Sequence, residues 1–201
     1  LPDEHAVLRE LLTALQAYPK LVLDWRRDTV RLNVVQEQID IGVRIDHRAD
    51  SRLIARKIGE TCEKIVMAPD LLRRLGKPED FADLQKNYPL AAVLNHNNGR
   101  ADTWYINENL QFTPAKPHFV GSHIHNAMQA ALAGNAVSQQ LDWMVAPHLL
   151  SGELVELFAE VPKIRWPVSI YRPQRVVTPM RVKVVFDLLA GILGKRFELP
   201  A

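Results

Sequence analysis

The sequence predicts an α/β fold in which largely parallel sheets are covered by helices. Three observations carry that prediction. Apolar runs of strand length alternate with helical stretches nearly from end to end. Several helical stretches carry their own start and stop residues. Polar turns such as Asn95 to Gly99 (NHNNG) separate the segments. A chain that alternates in this way buries its strands under helices.

Taken in order, Val7, Leu8, Leu11, Leu12 and Leu15 form one apolar helical stripe, with Asp3 and Glu4 at its positive end. Tyr18-Pro19 stops that helix, and Leu21, Leu23 and Trp25 alternate as a strand. Asp28 or Thr29 caps a second helix carrying Val30, Val34 and Val35. Asp40 to Ile45 (DIGVRI), Leu53 to Ile58 and Glu63 to Ala68 read as strands. Asp70 caps a short helix closed by Gly76, and Pro78-Glu79-Asp80 opens another helical turn. Tyr88-Pro89 leads into the apolar run Leu90 to Leu94. Thr103 to Ile106 and Pro117 to Val120 read as strands before a central helix. Trp143 to Leu150 is helical, Leu154 to Phe158 and Val168 to Tyr171 are strands, and Thr178-Pro179 opens a last helix. That helix buries Val182, Val185, Phe186, Leu189 and Leu193.

The central helix follows Ser122. Ser122 serves as its N-cap, Ile124, Ala127, Met128, Ala131 and Leu132 recur at helical spacing, and Gly134 supplies the left-handed stop. The N–H groups at Ser122, His123 and Ile124 would offer a carboxylate or other acceptor a place to bind. By spacing alone this is an ordinary capped surface helix. Its role comes from the resemblance described below.

Bulk composition excludes several classes. The chain has 201 residues, 47% hydrophobic and 24% charged, with a net charge of +2 and no basic stripe, which argues against a direct grip on a phosphate backbone. That length suits one large or two small domains. Cys62 stands alone, so neither an internal disulfide nor a thiolate metal cage is expected. Glu60 and Glu63 beside it disfavour a thiolate. No apolar stretch is long enough to span a bilayer and no signal peptide is visible, although the opening LPDEHA has the look of a fragment boundary. His118, His123 and His125 lie close in sequence, but residues two apart on a helix face different sides, so no metal is expected. No Gly-x-Ser-x-Gly elbow, phosphate loop or His-Glu-x-x-His is present, so neither catalysis nor a cofactor is expected.

Several phrases in their order resemble the effector-binding domain of LysR-type transcriptional regulators. They are DIGVRI (Asp40–Ile45), SRLIARKI (Ser51–Ile58), IVMAPDLLRRLGKPEDFADL (Ile65–Leu84), the lone Trp104, AALAG (Ala130–Gly134) and LDWMVAPHLLSGELVELF (Leu141–Phe158). The resemblance covers essentially the whole chain. The family's first strand of this domain and its N-terminal winged helix-turn-helix have no counterpart in the sequence.

The resemblance implies two Rossmann-like lobes joined by two crossing strands, like a type 2 periplasmic binding protein, with a small molecule between them. One lobe would comprise residues 1–66 plus 171–201 and the other 67–170. Carried over position by position, the family's cleft falls on Asp46 and His47, on Asn95, His96 and Asn97, and on Ser122 and His123. Val137, Ser138 and Gln139 follow on the next strand, and Tyr171 near the second crossing. These neutral donors, acceptors and histidines suit a small polar or anionic effector. The family's tight Gly-Leu-Gly-Ile is here Gly134-Asn135-Ala136-Val137, followed by polar Ser138-Gln139-Gln140 in place of apolar residues. That departure points to a ligand with polar edges of its own.

The resemblance further implies a homodimer or tetramer, a cytoplasmic location, and DNA contact only through the helix-turn-helix domain. It implies no membrane partner. A transporter's extracytoplasmic solute-binding protein would share fold and cleft, and stays open at this point as the alternative.

Overall fold

The first helix begins at Asp3, whose side chain accepts the Ala6 N–H, and runs as far as its apolar stripe lasts. In chain order the elements are α1 (Glu4–Leu15), β1 (Gly42–Ile45), β2 (Leu53–Thr61), β3 (Glu63–Met67), α2 (Pro69–Leu75), α3 (Phe81–Asn87), β4 (Leu90–Asn95) and β5 (Arg100–Ala101). They continue with β6 (Trp104–Asn107), β7 (Leu110–Phe112), β8 (Phe119–Gly121), α4 (Ile124–Leu132), β9 (Val137–Leu141), α5 (Asp142–Ser151), β10 (Val155–Leu157), β11 (Trp166–Pro173) and α6 (Met180–Phe197). This computed structural model describes residues 3–26, 39–45, 52–95, 98–174 and 177–197. The helix expected from Asp28 or Thr29 lies outside them.

The chain forms two compact units, Leu1–Thr61 with Arg165–Ala201, and Cys62–Ile164. In the first unit β1, β11 and β2 make a three-stranded antiparallel sheet with β11 in the middle. The unit's core joins Val7, Leu11 and Leu15 of α1 to Val185, Phe186, Leu189 and Leu193 of α6, with Ile170 from the sheet. Leu12, on the same stripe, is left exposed. Leu21, Leu23 and Trp25 pack on this core while Val22 stays 93% exposed, the alternation of an extended chain. No ladder partner holds residues 21–26 among the described residues, so the expected strand is an extended segment. Trp25 is tied instead by its indole N–H, which donates to Glu4 Oε1 at 3.2 Å.

The second unit holds a sheet in the order β10-β3-β9-β4-β5, with β8 also pairing β4. Among the described residues only β4 with β8 and β4 with β9 run parallel. The expectation of largely parallel sheets therefore does not hold, because most described pairings are antiparallel. Strand-like sequence carries no direction; the connections set it. The two faces of the sheet divide cleanly. Ile65, Met67, Leu90, Val137 and Leu157 face a core completed by Leu71 of α2, Leu84 of α3 and Trp104, Ile106 and Phe112 of the β6–β7 hairpin. The opposite face carries Val66 under Ala131, Val145 and Leu154, and Ala91 under Ala127, Ala130 and Ala136. Alanines at this contact let α4 lie close to the strands.

The start of α2 differs from the sequence reading. Ala68 is the N-cap of α2, with Pro69 at the first position and Asp70 inside the helix. Proline fits the first turn, where its missing N–H costs nothing. The helical turn expected from Pro78-Glu79-Asp80 is α3, whose cap is Asp80, accepting the Asp83 N–H at 2.8 Å. The β6–β7 hairpin extends beyond the single strand expected at Thr103–Ile106, because Asn107 Oδ1 accepts the Asn109 N–H and turns the chain.

Candidate functional site

The region of interest in the second unit lies where β4 and β8 end side by side. Their parallel register places Val93 opposite Gly121, so Asn95 and His123 leave the sheet at the same edge two residues later. The carboxyl edge of neighbouring parallel strands whose connections diverge is where open α/β sheets bind ligands. Here β4 turns back into β5, while β8 leads into α4 and on to β9. Gly121 permits the tight entry to α4, since a Cβ there would stand 2.7 Å from Asn126 Cβ.

Ser122 is not the N-cap of α4. His123 holds that position with extended backbone (φ −136°, ψ 141°) and makes no side-chain capping bond. A cap sits where the chain leaves extended geometry, and that happens one residue later than the serine suggests. The extended His123 also changes the histidine geometry. Its ring centroid is 6.2 Å from that of His125. Among the described residues no group of three His, Cys, Asp or Glu side chains is placed to hold a metal ion.

Beneath this turn lies the polar strand β9, fully inside the unit: Ser138 and Gln140 are 0% exposed. Because side chains alternate, Ser138 and Gln140 face α4 while Val137 and Gln139 face the other core. Gln140 Nε2 donates to the Ile124 carbonyl at 3.2 Å and to Ser138 Oγ at 2.7 Å. Gln139 Nε2 donates to the Tyr105 carbonyl at 2.9 Å, beside a recess of about 10 Å³ shared with Glu63 and Lys163. That volume suits a single water molecule, not a metabolite.

The expected site residues therefore fall into groups. Asn95 ends β4 and Ser122 and His123 follow β8 at the same carboxyl edge, while Ser138 lies on the α4 side of β9 with Gln140. Val137 and Gln139 point to the opposite face of the sheet. Asn95 Nδ2 also donates to Asp102 Oδ1 at 3.1 Å, which steadies the β4–β5 turn. Asp46, His47, His96 and Asn97 lie outside the described residues. Tyr171 belongs to the first unit, where it stands opposite Gly42 and its ring covers that glycine. The Arg44 guanidinium lies 5.3 Å from the centre of the same ring, a cation–π contact. Sequence reading missed Arg44 and Gln140. The i, i+2 spacing of Gly42 and Arg44 along a strand, and of Ser138 and Gln140, was the available signal.

Two further polar clusters serve the second unit's structure. Glu156 takes Lys64 Nζ at 2.7 Å and Lys163 Nζ at 2.9 Å. Burial by itself raises its carboxyl, but the hydrogen bonds from Lys64 and Lys163 outweigh burial and hold it below the ordinary glutamate value. Buried Cys62 faces a carboxylate, with Sγ 3.4 Å from Asp142 Oδ2.

Residues 4–193 match the model of the LysR substrate binding domain. The chain belongs to that family. The LysR domain is 22% identical over 191 residues to the HTH-type transcriptional activator TtdR of Escherichia coli (strain K12), covering 92% of this chain and 60% of TtdR. It is 25% identical over 183 residues to the HTH-type transcriptional regulator CrgA of Neisseria meningitidis serogroup C (strain 8013), covering 89% of this chain and 60% of CrgA. The chain thus spans about 60% of the length of these curated relatives. Among solved structures, the regulatory domain of CrgA from Neisseria meningitidis, a LysR-type transcriptional regulator, superposes with a TM-score of 0.75 at 20% identity, covering 94% of this chain and 92% of that one. The regulatory domain of AphB in Vibrio vulnificus gives 0.72 at 19% identity, covering 92% and 90%. The LysR domain therefore has the two-lobed, type 2 periplasmic-binding-protein-like α/β fold of these regulatory domains. Among the described residues no helix is long and apolar enough to cross a membrane.

Proposed function

We propose that this chain is the effector-sensing and oligomerising part of a LysR-type transcriptional regulator and performs no chemistry. The observation that carries this reading is the family match over residues 4–193. The parallel strands β4 and β8, which end side by side at Asn95 and Gly121, support a site at that edge. A small polar or anionic metabolite binds between residues 1–66 plus 171–201 and residues 67–170, touching Ser122, His123 and Asn95. Asp46, His47, His96, Asn97 and Tyr171 complete the lining, and Val137, Ser138 and Gln139 form its supporting strand. The metabolite favours one arrangement of the lobes by as much as its affinities for the two arrangements differ.

In this reading DNA is engaged in the cytoplasm by a helix-turn-helix part of the protein, as the names of the relatives suggest. The chain pairs as a dimer or tetramer through α1 and the extended segment around Val22, whose side chain is 93% exposed.

The test is ligand-induced stabilisation. A panel of small polar and anionic metabolites is screened by thermal denaturation of the parent chain and of Ser122→Ala and Asn95→Ala. At least one metabolite is expected to raise the melting temperature of the parent, and each variant to weaken that rise. A stabilising metabolite whose effect survives both changes rules this site out.

A further inference from the structure

We propose that two copies of this chain join edge to edge, residues 21–25 of each pairing antiparallel about Val22. The inference rests on the reading that the chain pairs through α1 and this segment, and it names the contact. Side chains alternate along the segment. Leu21, Leu23 and Trp25 pack on the first unit's core, while Lys20, Val22, Asp24 and Arg26 are exposed, Val22 by 93%. The segment is tied at both ends: the Leu21 N–H donates to the Tyr18 carbonyl at 2.9 Å, and the Trp25 indole N–H donates to Glu4 at 3.2 Å. Between those ties, among the described residues, the backbone N–H and C=O groups of Val22, Leu23 and Asp24 make no hydrogen bond. Extended backbone whose side chains are anchored in a core is a template for another strand, and proteins blunt such edges with prolines, bulges or charges. Residues 21–25 hold no proline, and the charges on this edge are placed to match a partner.

The order of those charges selects a second copy. Along the exposed face Lys20, Val22 and Asp24 run positive, apolar, negative. Turned end for end, the same row runs negative, apolar, positive. Antiparallel pairing about a two-fold axis at Val22 therefore sets Lys20 opposite Asp24 at both ends and one valine against the other. Opposite charges directly across paired strands are favourable, and like charges there are not. Centring the pair on Leu23 instead would set Lys20 opposite Arg26 and Val22 opposite Asp24, so the charges also fix the register. Within one chain Asp24 already holds Arg26 at 2.7 Å, and its carboxylate has acceptor sites left for a lysine from across the axis. The two valines, each now in water, cover one another in the pair.

The experiment measures the dimer dissociation constant of the whole chain by sedimentation equilibrium over a concentration series. Asp24→Lys should weaken the dimer on the order of tenfold, since it turns two favourable cross-strand pairs into two repulsive ones. Adding Lys20→Asp to Asp24→Lys exchanges the two charges and should restore the parent's constant, which a general effect of charge or folding would not do. Val22→Cys should give a disulfide-linked dimer under mild oxidation, because the two side chains face each other across the axis. The parent, whose lone Cys62 is buried, should give none. A dimeric parent whose constant ignores Asp24→Lys, or is not recovered by the exchange, overturns the proposal and leaves the dimer reading standing. Absence of the Val22→Cys cross-link in a dimeric chain does the same. A parent that stays monomeric overturns both and leaves the edge to some other strand. Should a charge variant fail to fold, the Val22→Cys cross-link decides.

Discussion

Replacing Glu156 by Gln keeps the shape of the side chain and removes the charge that two lysines share. Glu156 takes Lys64 at 2.7 Å and Lys163 at 2.9 Å, with the three side chains 15%, 28% and 17% exposed. Lys163 also donates to the carbonyls of Phe158 and Val161, so it is held in place and cannot swing out to water cheaply. The glutamine can still accept one hydrogen bond, but two ammonium groups then face a neutral partner. A hydrogen bond to a charged group contributes about 1.5–3 kcal/mol, so the change should cost roughly 2 kcal/mol. For a chain of this size that is a fall of roughly 4–8 °C in melting temperature.

The pH dependence gives a second handle. The folded carboxyl is held below its ordinary value, so the folded chain keeps it charged to lower pH than the unfolded chain does. The stabilisation is fully present above the unfolded carboxyl's pKa and is lost as pH falls through the folded one. Melting curves of parent and Glu156→Gln should therefore differ most near neutral pH and converge on acidification, where the parent's own carboxyl becomes neutral. Coincident curves at neutral pH, or a gap that stays constant into acid, would refute the argument.

Two other changes test the frame that carries the site. Leu84 of α3 is 0% exposed in the core on the side of Val137, and Leu84→Ala should lower stability by about 3 kcal/mol, read as the urea midpoint. Gly134 ends the stop of α4 at φ +68°, and the nearest atoms to an added Cβ are Ala68 Cβ at 3.8 Å and Asp70 Cβ at 3.9 Å. Space is thus available, and Gly134→Ala should cost only the left-handed backbone, about 1 kcal/mol by the same assay. A much larger loss would mean that α4 itself had shifted.

Much of the local structure was legible in the sequence because local physics decides it. The stripe of α1, the helical turn opened by Pro78-Glu79-Asp80, the stop at Gly134 and the buried face of α6 each follow from residues within one or two turns of each other. The ordered phrases from DIGVRI to LDWMVAPHLL also pointed to the family, because they run along the whole chain. Where the signal was one residue deep it slipped: Ser122 and Asp70 are good capping types, yet His123 and Ala68 occupy the caps.

The sequence by itself determined the α/β class, the helix faces, the stop after the central helix and the polar character of residues 138–140. Only the tertiary structure decided strand direction, because pairing depends on how the chain returns and not on any single run. It alone also decided that Ser138 and Gln140 look toward α4 while Val137 and Gln139 look away. A strand's alternation is written in its residues, but which side meets which helix depends on contacts far apart in sequence. For the same reason Arg44 meets Tyr171, 127 positions along the chain, across paired strands that neither segment specifies by itself.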